Sequence, residues 1–208
     1  MFYLTKIPAL VKLLYPKLVW SLPNKGQSIY LTFDDGPHPV HTPFVLHWLK
    51  KYDAKATFFC IGSNVAKYPL LYNQILLQGH AVGNHTMQHI NGKMATTSAY
   101  LTDIKNAEPY IATNLFRPPY GRIKQSQINE VLQLPNQYHI IMWSTLSADF
   151  DNNITPQKCL QHTIKNTKEG DIIVFHDSDK AAKNMQFVLP QALAYFAKHH
   201  FKCDKITL

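Results

Sequence analysis

Three cysteines in 208 residues, Cys60, Cys159 and Cys203, are too few and too widely spaced for a disulfide framework or a zinc knuckle. Cys60 closes the β-forming run Thr57-Phe58-Phe59 and reads as a small core residue, in keeping with a reducing compartment. Glycine is scarce, 8 residues against 13 prolines with no Gly-X-Y period, which excludes a collagen-like or linker-like chain. No apolar run reaches the ~18 residues of a membrane-spanning helix. Charged residues make up only 16% and apolar ones 46%, so the chain has enough apolar surface to build a core. Acidic residues are the scarcer sign: 13 Asp and Glu against 21 Lys and Arg leave a net charge of +8. The basic residues form no long run and the aromatic ones sit mostly within apolar stretches, so nucleic acid is not expected as a partner.

Residues 1–27 are set apart as an arm that packs on a single domain over 28–208. The opening MFYLTKIPALVKLLYPKLVWSLP is leader-like only on the surface. Lys12 and Lys17 interrupt its apolar runs, Pro8 and Pro16 break it, and no small-residue cleavage site follows. Neither a cleavable signal peptide nor a transmembrane helix is therefore expected, and a cytoplasmic or membrane-associated location is preferred to secretion. The basic arm also admits weak contact with a membrane surface.

Beyond residue 27, β-forming and helical patterns alternate. Ser28–Phe33 predicts a strand that stops at Asp34-Asp35-Gly36-Pro37. Helices are predicted over 42–52 (with Thr42 as cap), 64–78, 97–114, 125–134, 155–168 and 184–199. Further strands are predicted over 56–61, 80–82, 138–143, 171–175 and 202–208, with Leu115-Phe116 between them. Repeated β-then-α units imply a parallel sheet with helices outside, and their number fits a distorted (β/α)7 barrel better than a flat doubly wound sheet.

The polar clusters fall at strand ends, which share one face of such a sheet. His85 and His89 are four apart, a spacing that on one helical turn aims both imidazoles at one ion. A third ligand is available from Asp34 or Asp35, and two histidines with a carboxylate suit a catalytic divalent ion, most simply Zn²⁺. Arg117, stiffened by two following prolines, is suited to holding a carboxylate. His176, at the mouth of the run Ile172-Ile173-Val174-Phe175, is a candidate general acid.

Taken in order, Thr32-Phe33-Asp34-Asp35-Gly36-Pro37, Asn84-His85-Thr86-Met87-Gln88-His89, Arg117-Pro118-Pro119-Tyr120-Gly121 and Val174-Phe175-His176 resemble the motifs of the polysaccharide deacetylase family, the NodB homology domain of carbohydrate esterase family 4. The resemblance runs from about residue 29 onward. It implies metal-dependent removal of N-acetyl groups from N-acetylglucosamine-containing glycans of the peptidoglycan or chitin type, a hydrolysis of linear amides. It makes Asp34 the base, Asp35, His85 and His89 the ligands of Zn²⁺ (or of Co²⁺ or Ni²⁺), and His176 the acid. Arg117 would orient Asp34, and the Tyr120 backbone N–H would stabilise the oxyanion. Pro119, Trp143 and Val174, the last standing where the family usually has Leu, would line the substrate pocket. The fourth motif departs from the family. Leu146 occupies its first acidic position and Phe150 replaces its Trp, so the support of His176 falls to Asp149 or is weakened. Two other readings stand beside this one: deacylation of an O-acetyl ester or cyclic amide on the same metal site, and a glycan-binding protein with a degenerate site.

Overall fold

In the computed structural model, residues 3–23, 26–165 and 167–208 are described. The order is α1 (Ala9–Leu14), β1 (Ser28–Asp34), α2 (His41–Lys51), β2 (Ala56–Cys60), α3 (Gly62–Lys67), α4 (Pro69–Leu77), β3 (Ala81–Asn84), α5 (Thr97–Ala107), β4 (Leu115–Phe116), a 3-10 turn (Pro119–Gly121), α6 (Gln125–Val131), β5 (His139–Ile140), β6 (Thr145–Leu146), α7 (Pro156–Ile164), β7 (Ile172–His176), α8 (Ala182–Lys198) and β8 (Lys202–Cys203). Seven parallel strands run in the spatial order β5-β4-β3-β2-β1-β7-β6, and β8 adds to β1. They curl into a half-barrel with the helices outside, the (β/α)7 architecture the alternation predicts.

The central strand β1 shows why the sheet has two distinct faces. Alternate side chains point to opposite sides. Ile29, Leu31 and Phe33 are buried in the main core with Val45 and Leu49 of α2 and Val188 and Ala192 of α8. The other register, Thr32 and Asp34, faces the barrel interior, where both bond to Arg117. One strand thus supplies both the apolar anchor and the polar site. A second cluster, of Tyr100, Ile104, Ile128, Val131, Phe116 and Ile140, seats α5 and α6.

The path of the sheet ends at β5 and β6, and the amino-terminal segment bridges these two edges. The Leu146 N–H donates to the Thr5 carbonyl (2.9 Å) and the Ile7 N–H to the Ser144 carbonyl (3.0 Å). Val19 then exchanges bonds with the β5 side, its N–H to the Ile140 carbonyl (2.9 Å) and its carbonyl from the Met142 N–H (2.7 Å). Buried Leu18 and Trp20 pack beneath.

Several element boundaries differ from the sequence reading, each for a local reason. The helix expected over 64–78 is two helices, because Pro69 lacks the N–H to continue α3 and instead opens α4. The helix expected to 114 stops at Ala107: Glu108 keeps helical angles as its C-cap, but Pro109 has no N–H to extend the hydrogen-bond ladder. The strand expected over 138–143 is cut to His139–Ile140, because Ile141 and Met142 turn their carbonyls to Arg117; the chain then forms β6, which no sequence signal marks. The helix 155–168 ends at Ile164, the helix 125–134 at Val131, and the last strand is only Lys202–Cys203. Thr42 does not cap α2, which begins at His41; its hydroxyl accepts from the His38 N–H (2.7 Å) and donates to Asp177.

Candidate active site

Asp34 ends β1, His176 ends β7 directly beside it in register, and Asn84, the residue before His85, ends β3. The parallel sheet therefore gathers the motif residues at its carboxyl edge. The two histidines do not sit on a helical turn. They follow β3 in an irregular loop in which Thr86 (φ 64°) and His89 (φ 55°) are left-handed. That loop is held at both ends. Asn84 Oδ1 accepts from the Thr86 N–H (2.7 Å), and the Asp103 carboxylate accepts from the Gln88 N–H (3.1 Å). Asp35 (φ 82°), Tyr120 (φ 60°) and Ala148 (φ 62°) are left-handed as well, so backbone strain is concentrated around this one site.

Asp35, His85 and His89 converge, with one candidate ligand atom from each within 4.8 Å of the others. His85 Nδ1 lies 2.8 Å from the Arg117 carbonyl oxygen, which can only accept. The proton is thereby fixed on Nδ1, and the Nε2 lone pair is left for the cluster. His85 Nε2 is 3.8 Å and His89 Nε2 3.2 Å from Asp35 Oδ1, a buried oxygen with no well-aligned hydrogen bond. Burial pulls the His85 pKa down to about 4, so its ring is neutral and able to ligate. Burial alone would raise Asp35. The His89 contact and the fields of His176 and His85 outweigh it and hold this carboxyl below its usual range. Two neutral-capable imidazoles and an ionised carboxylate around an orphaned oxygen fit a divalent transition ion.

On one side stands Asp34, 3% exposed, whose Oδ1 accepts from Arg117 Nη1 at 2.7 Å. Arg117 is fully buried. It also donates to Thr32 Oγ1 (2.7 Å) and to the carbonyls of Ile141 (3.2 Å) and Met142 (2.9 Å), and its guanidinium lies 4.1 Å from the Phe59 ring centroid. Four of its five N–H groups are thus satisfied. On the other side, His176 Nδ1 is 2.8 Å from Asp149 Oδ1, and the His176 backbone N–H donates to Asp149 Oδ2 (2.7 Å). Burial would lower His176, but the Asp149 carboxylate, helped by Asp35 and Asp34, lifts its pKa to about 9. Leu146 is buried among Ala148, Val174 and Trp143. The carboxylate against His176 is therefore Asp149, three residues further on.

Tyr120 enters through its backbone. Its ring is exposed and lies 4.5 Å from that of His89, and among the described residues no backbone carbonyl accepts from its N–H. Pro119 is buried in the same turn. Trp143 lies against Gly121, where any Cβ would strike the indole. Val174 is 1% exposed, packed under Trp143. Gly36 has a similar reason: a side chain there would collide with the Asp177 carboxyl, which burial raises to about 8.

A second group, His38, His41 and Asp179, is also compact, but its hydrogen bonds account for it. His38 Nδ1 accepts from the N–H groups of Val40 and His41 (3.2 and 3.3 Å), which puts its proton on Nε2, 3.3 Å from Asp179 Oδ1. His41 Nε2 approaches the same oxygen at 2.9 Å. The group ties the loop after β1 to the loop after β7.

Supporting residues that the motifs alone do not single out are Thr32, Asn64, whose amide donates to the Asp35 carbonyl (2.7 Å), and Asn84. Thr32 carries a signal that could have found it, since it shares the inward face of β1 with Asp34; Asn64, 29 residues away, has none.

Known proteins match this arrangement. The polysaccharide deacetylase family matches residues 21–139. A peptidoglycan-N-acetylglucosamine deacetylase of Bacillus cereus is 33% identical over 191 residues, 89% of each chain. A chitooligosaccharide deacetylase of Azorhizobium caulinodans is 34% identical over 167 residues, 74% of this chain and 77% of the other. The solved structure of Bacillus subtilis PdaA, a family 4 carbohydrate esterase, aligns with a TM-score of 0.79 at 25% identity, over 95% of this chain and 87% of that one. With family motifs in order, a matching fold and relatives aligned along most of its length, the chain belongs to the polysaccharide deacetylase family.

Proposed function

We propose that the site removes N-acetyl groups from N-acetylglucosamine-containing glycans, of peptidoglycan or chitin type, with Asp35, His85 and His89 holding a divalent ion, Zn²⁺ foremost. The observation that carries this reading is the three-ligand cluster flanked by two braced groups, Asp34 on Arg117 and His176 on Asp149. The ion supplies Lewis acidity, polarising an acyl oxygen and easing the deprotonation of a water. Asp34 takes the proton of the water that attacks the acetyl carbon, and Arg117 keeps its carboxylate aimed. The Tyr120 N–H donates to the oxyanion as it forms, a contact worth about 3 kcal/mol. His176, protonated, then gives its proton to the sugar nitrogen as the C–N bond breaks, so that acetate and a free amine leave. Chelation should reduce acetate release from N-acetylglucosamine oligomers to background, and one equivalent of Zn²⁺, Co²⁺ or Ni²⁺ should restore it. Acetylated xylan run in parallel tests the ester reading. Glycan binding with no acetate released under any metal would reject the enzyme.

Asp149→Asn tests the acid. His176 is raised chiefly by the Asp149 charge against burial, so it stays protonated through neutral pH and loses its proton only as pH climbs through the raised pKa. Removing the charge lowers that pKa. The alkaline limb of kcat/KM should move to lower pH, and activity at pH 7 should fall roughly 100-fold. An unmoved limb would assign it to another group.

A further inference from the structure

The amino-terminal arm approaches the active site through Tyr3. Its antiparallel register against β6, with Lys6 opposite Thr145, carries the chain past the end of that strand. Tyr3 there packs on the cluster of Leu146, Ala148 and Val174 together with Phe150. Its hydroxyl donates to Asp151 Oδ2 (2.6 Å), and its ring meets that of Phe150 edge to face, with centroids 5.7 Å apart. Burial and the Asp151 contact push the phenol up to about 12, so it stays a donor through neutral pH. Phe150 in turn stands almost perpendicular (84°) to the His176 imidazole, with 5.3 Å between centroids. The arm is tied to the β6 edge without Tyr3, by the backbone bonds of Thr5 and Ile7 and by the pairing of Lys6 with Asp171.

The turn that carries Phe150 brings two groups to one imidazole. The Asp151 N–H donates to the Ala148 carbonyl (3.0 Å), and Asn184 Nδ2 donates to the Asp149 and Asp151 carbonyls on either side of Phe150 (3.0 and 3.1 Å). The backbone of the turn is thus fixed from α8. Asp149 holds the His176 ring at Nδ1. A hydrogen bond there secures one edge of the ring, and Nε2, the atom left to give up a proton, swings with any tilt about that edge. The Phe150 ring, itself only partly buried, is the aromatic contact that opposes such a tilt. We propose that Tyr3 is a positioning residue for the general acid, an inference that rests on the deacetylase activity proposed for the site. Clamped by Asp151, Tyr3 keeps Phe150 from turning outward, and Phe150 keeps His176 Nε2 aimed at the departing sugar nitrogen. Tyr3 acts on the reaction only through Phe150.

Steady-state kinetics of the full chain with added Zn²⁺ test this on two substrates: N-acetylglucosamine oligomers, and 4-nitrophenyl acetate, whose phenolate leaves without needing a proton. Tyr3→Ala should lower kcat on the oligomers roughly 10–100-fold and leave KM within about twofold, because only the proton transfer to the leaving nitrogen is misaligned. Its rate on 4-nitrophenyl acetate should stay within about twofold of wild type, since that cleavage makes no use of the acid. Tyr3→Phe, which keeps the ring and loses only the Asp151 bond, should recover kcat to within about threefold. In a Phe150→Ala background, Tyr3→Ala should cost nothing further. Wild-type kcat on the oligomers in Tyr3→Ala overturns the proposal. So does an equal loss on both substrates, which would make Tyr3 a support of the fold, and so do additive losses from Tyr3→Ala and Phe150→Ala. Wild-type protein that cleaves 4-nitrophenyl acetate but releases no acetate from the oligomers fails at the earlier step: it rejects the deacetylase activity itself, and this inference with it.

Discussion

Asp34→Asn should leave the cation bound and lower kcat/KM by ~10³–10⁴, about 4–5 kcal/mol of transition-state stabilisation. The substitution keeps volume and shape but removes the carboxylate that Arg117 holds. An amide cannot accept the proton of the attacking water. It can still accept from Arg117 Nη1, so the guanidinium keeps most of its partners and the fold should lose no more than ~1–3 kcal/mol. Asp35→Asn is the necessary companion. Its oxygen lies against both imidazoles, so that variant should lose metal as well as activity. Metal analysis and acetate release, measured on both variants, separate the two roles. If Asp34→Asn loses its metal, Asp34 is a ligand and the two roles are exchanged; if it retains full turnover, the base lies elsewhere.

The adjacent carboxylates show where the sequence is legible and where it is not. That Asp34 and Asp35 end a strand can be read from the β-forming run and the Gly-Pro that follows. Which of the two faces the histidines cannot be read from spacing alone, because it depends on the left-handed turn at Asp35. The histidine pair is a similar case. The spacing correctly brings two rings to one point, but through a helix that does not form: Asn84 and Asp103 supply the bonds of an irregular loop instead. The alternation of β and α points to the barrel, since hydrophobic periodicity is local. The short β6 and the split of the 64–78 helix depend on long-range pairing and on one proline. Leu146 makes the fourth motif look damaged. The carboxylate against His176 comes instead from Asp149, delivered through a left-handed Ala148 whose conformation no periodicity encodes. Arg117 reads as an orienting residue, and Asp34 is one of its partners; its three other bonds are not visible in the sequence, because they come from Thr32 and from backbone carbonyls.

Those other bonds make Arg117 the position where substitution should cost the fold most. Its guanidinium joins β1, through Asp34 and Thr32, to the chain after β5, through two carbonyls, while resting on Phe59 of β2. Arg117→Met fills a similar volume but strands the Asp34 charge in the interior and orphans the Ile141 and Met142 carbonyls. Breaking one half of a buried pair costs about 3–5 kcal/mol, a large share of the 5–15 kcal/mol that typically holds a domain. In a chain of this length the Tm should drop by roughly 10 °C. Arg117→Lys separates charge from geometry. An ammonium restores one positive charge and at most three donors, without the planar fork that spans both strands. It should recover part of the stability, while kcat stays well below wild type because the carboxylate is no longer aimed. Full recovery of kcat by lysine would show that Arg117 serves Asp34 as a charge alone, and a Tm unchanged in Arg117→Met would show that the buried network contributes nothing net to the fold.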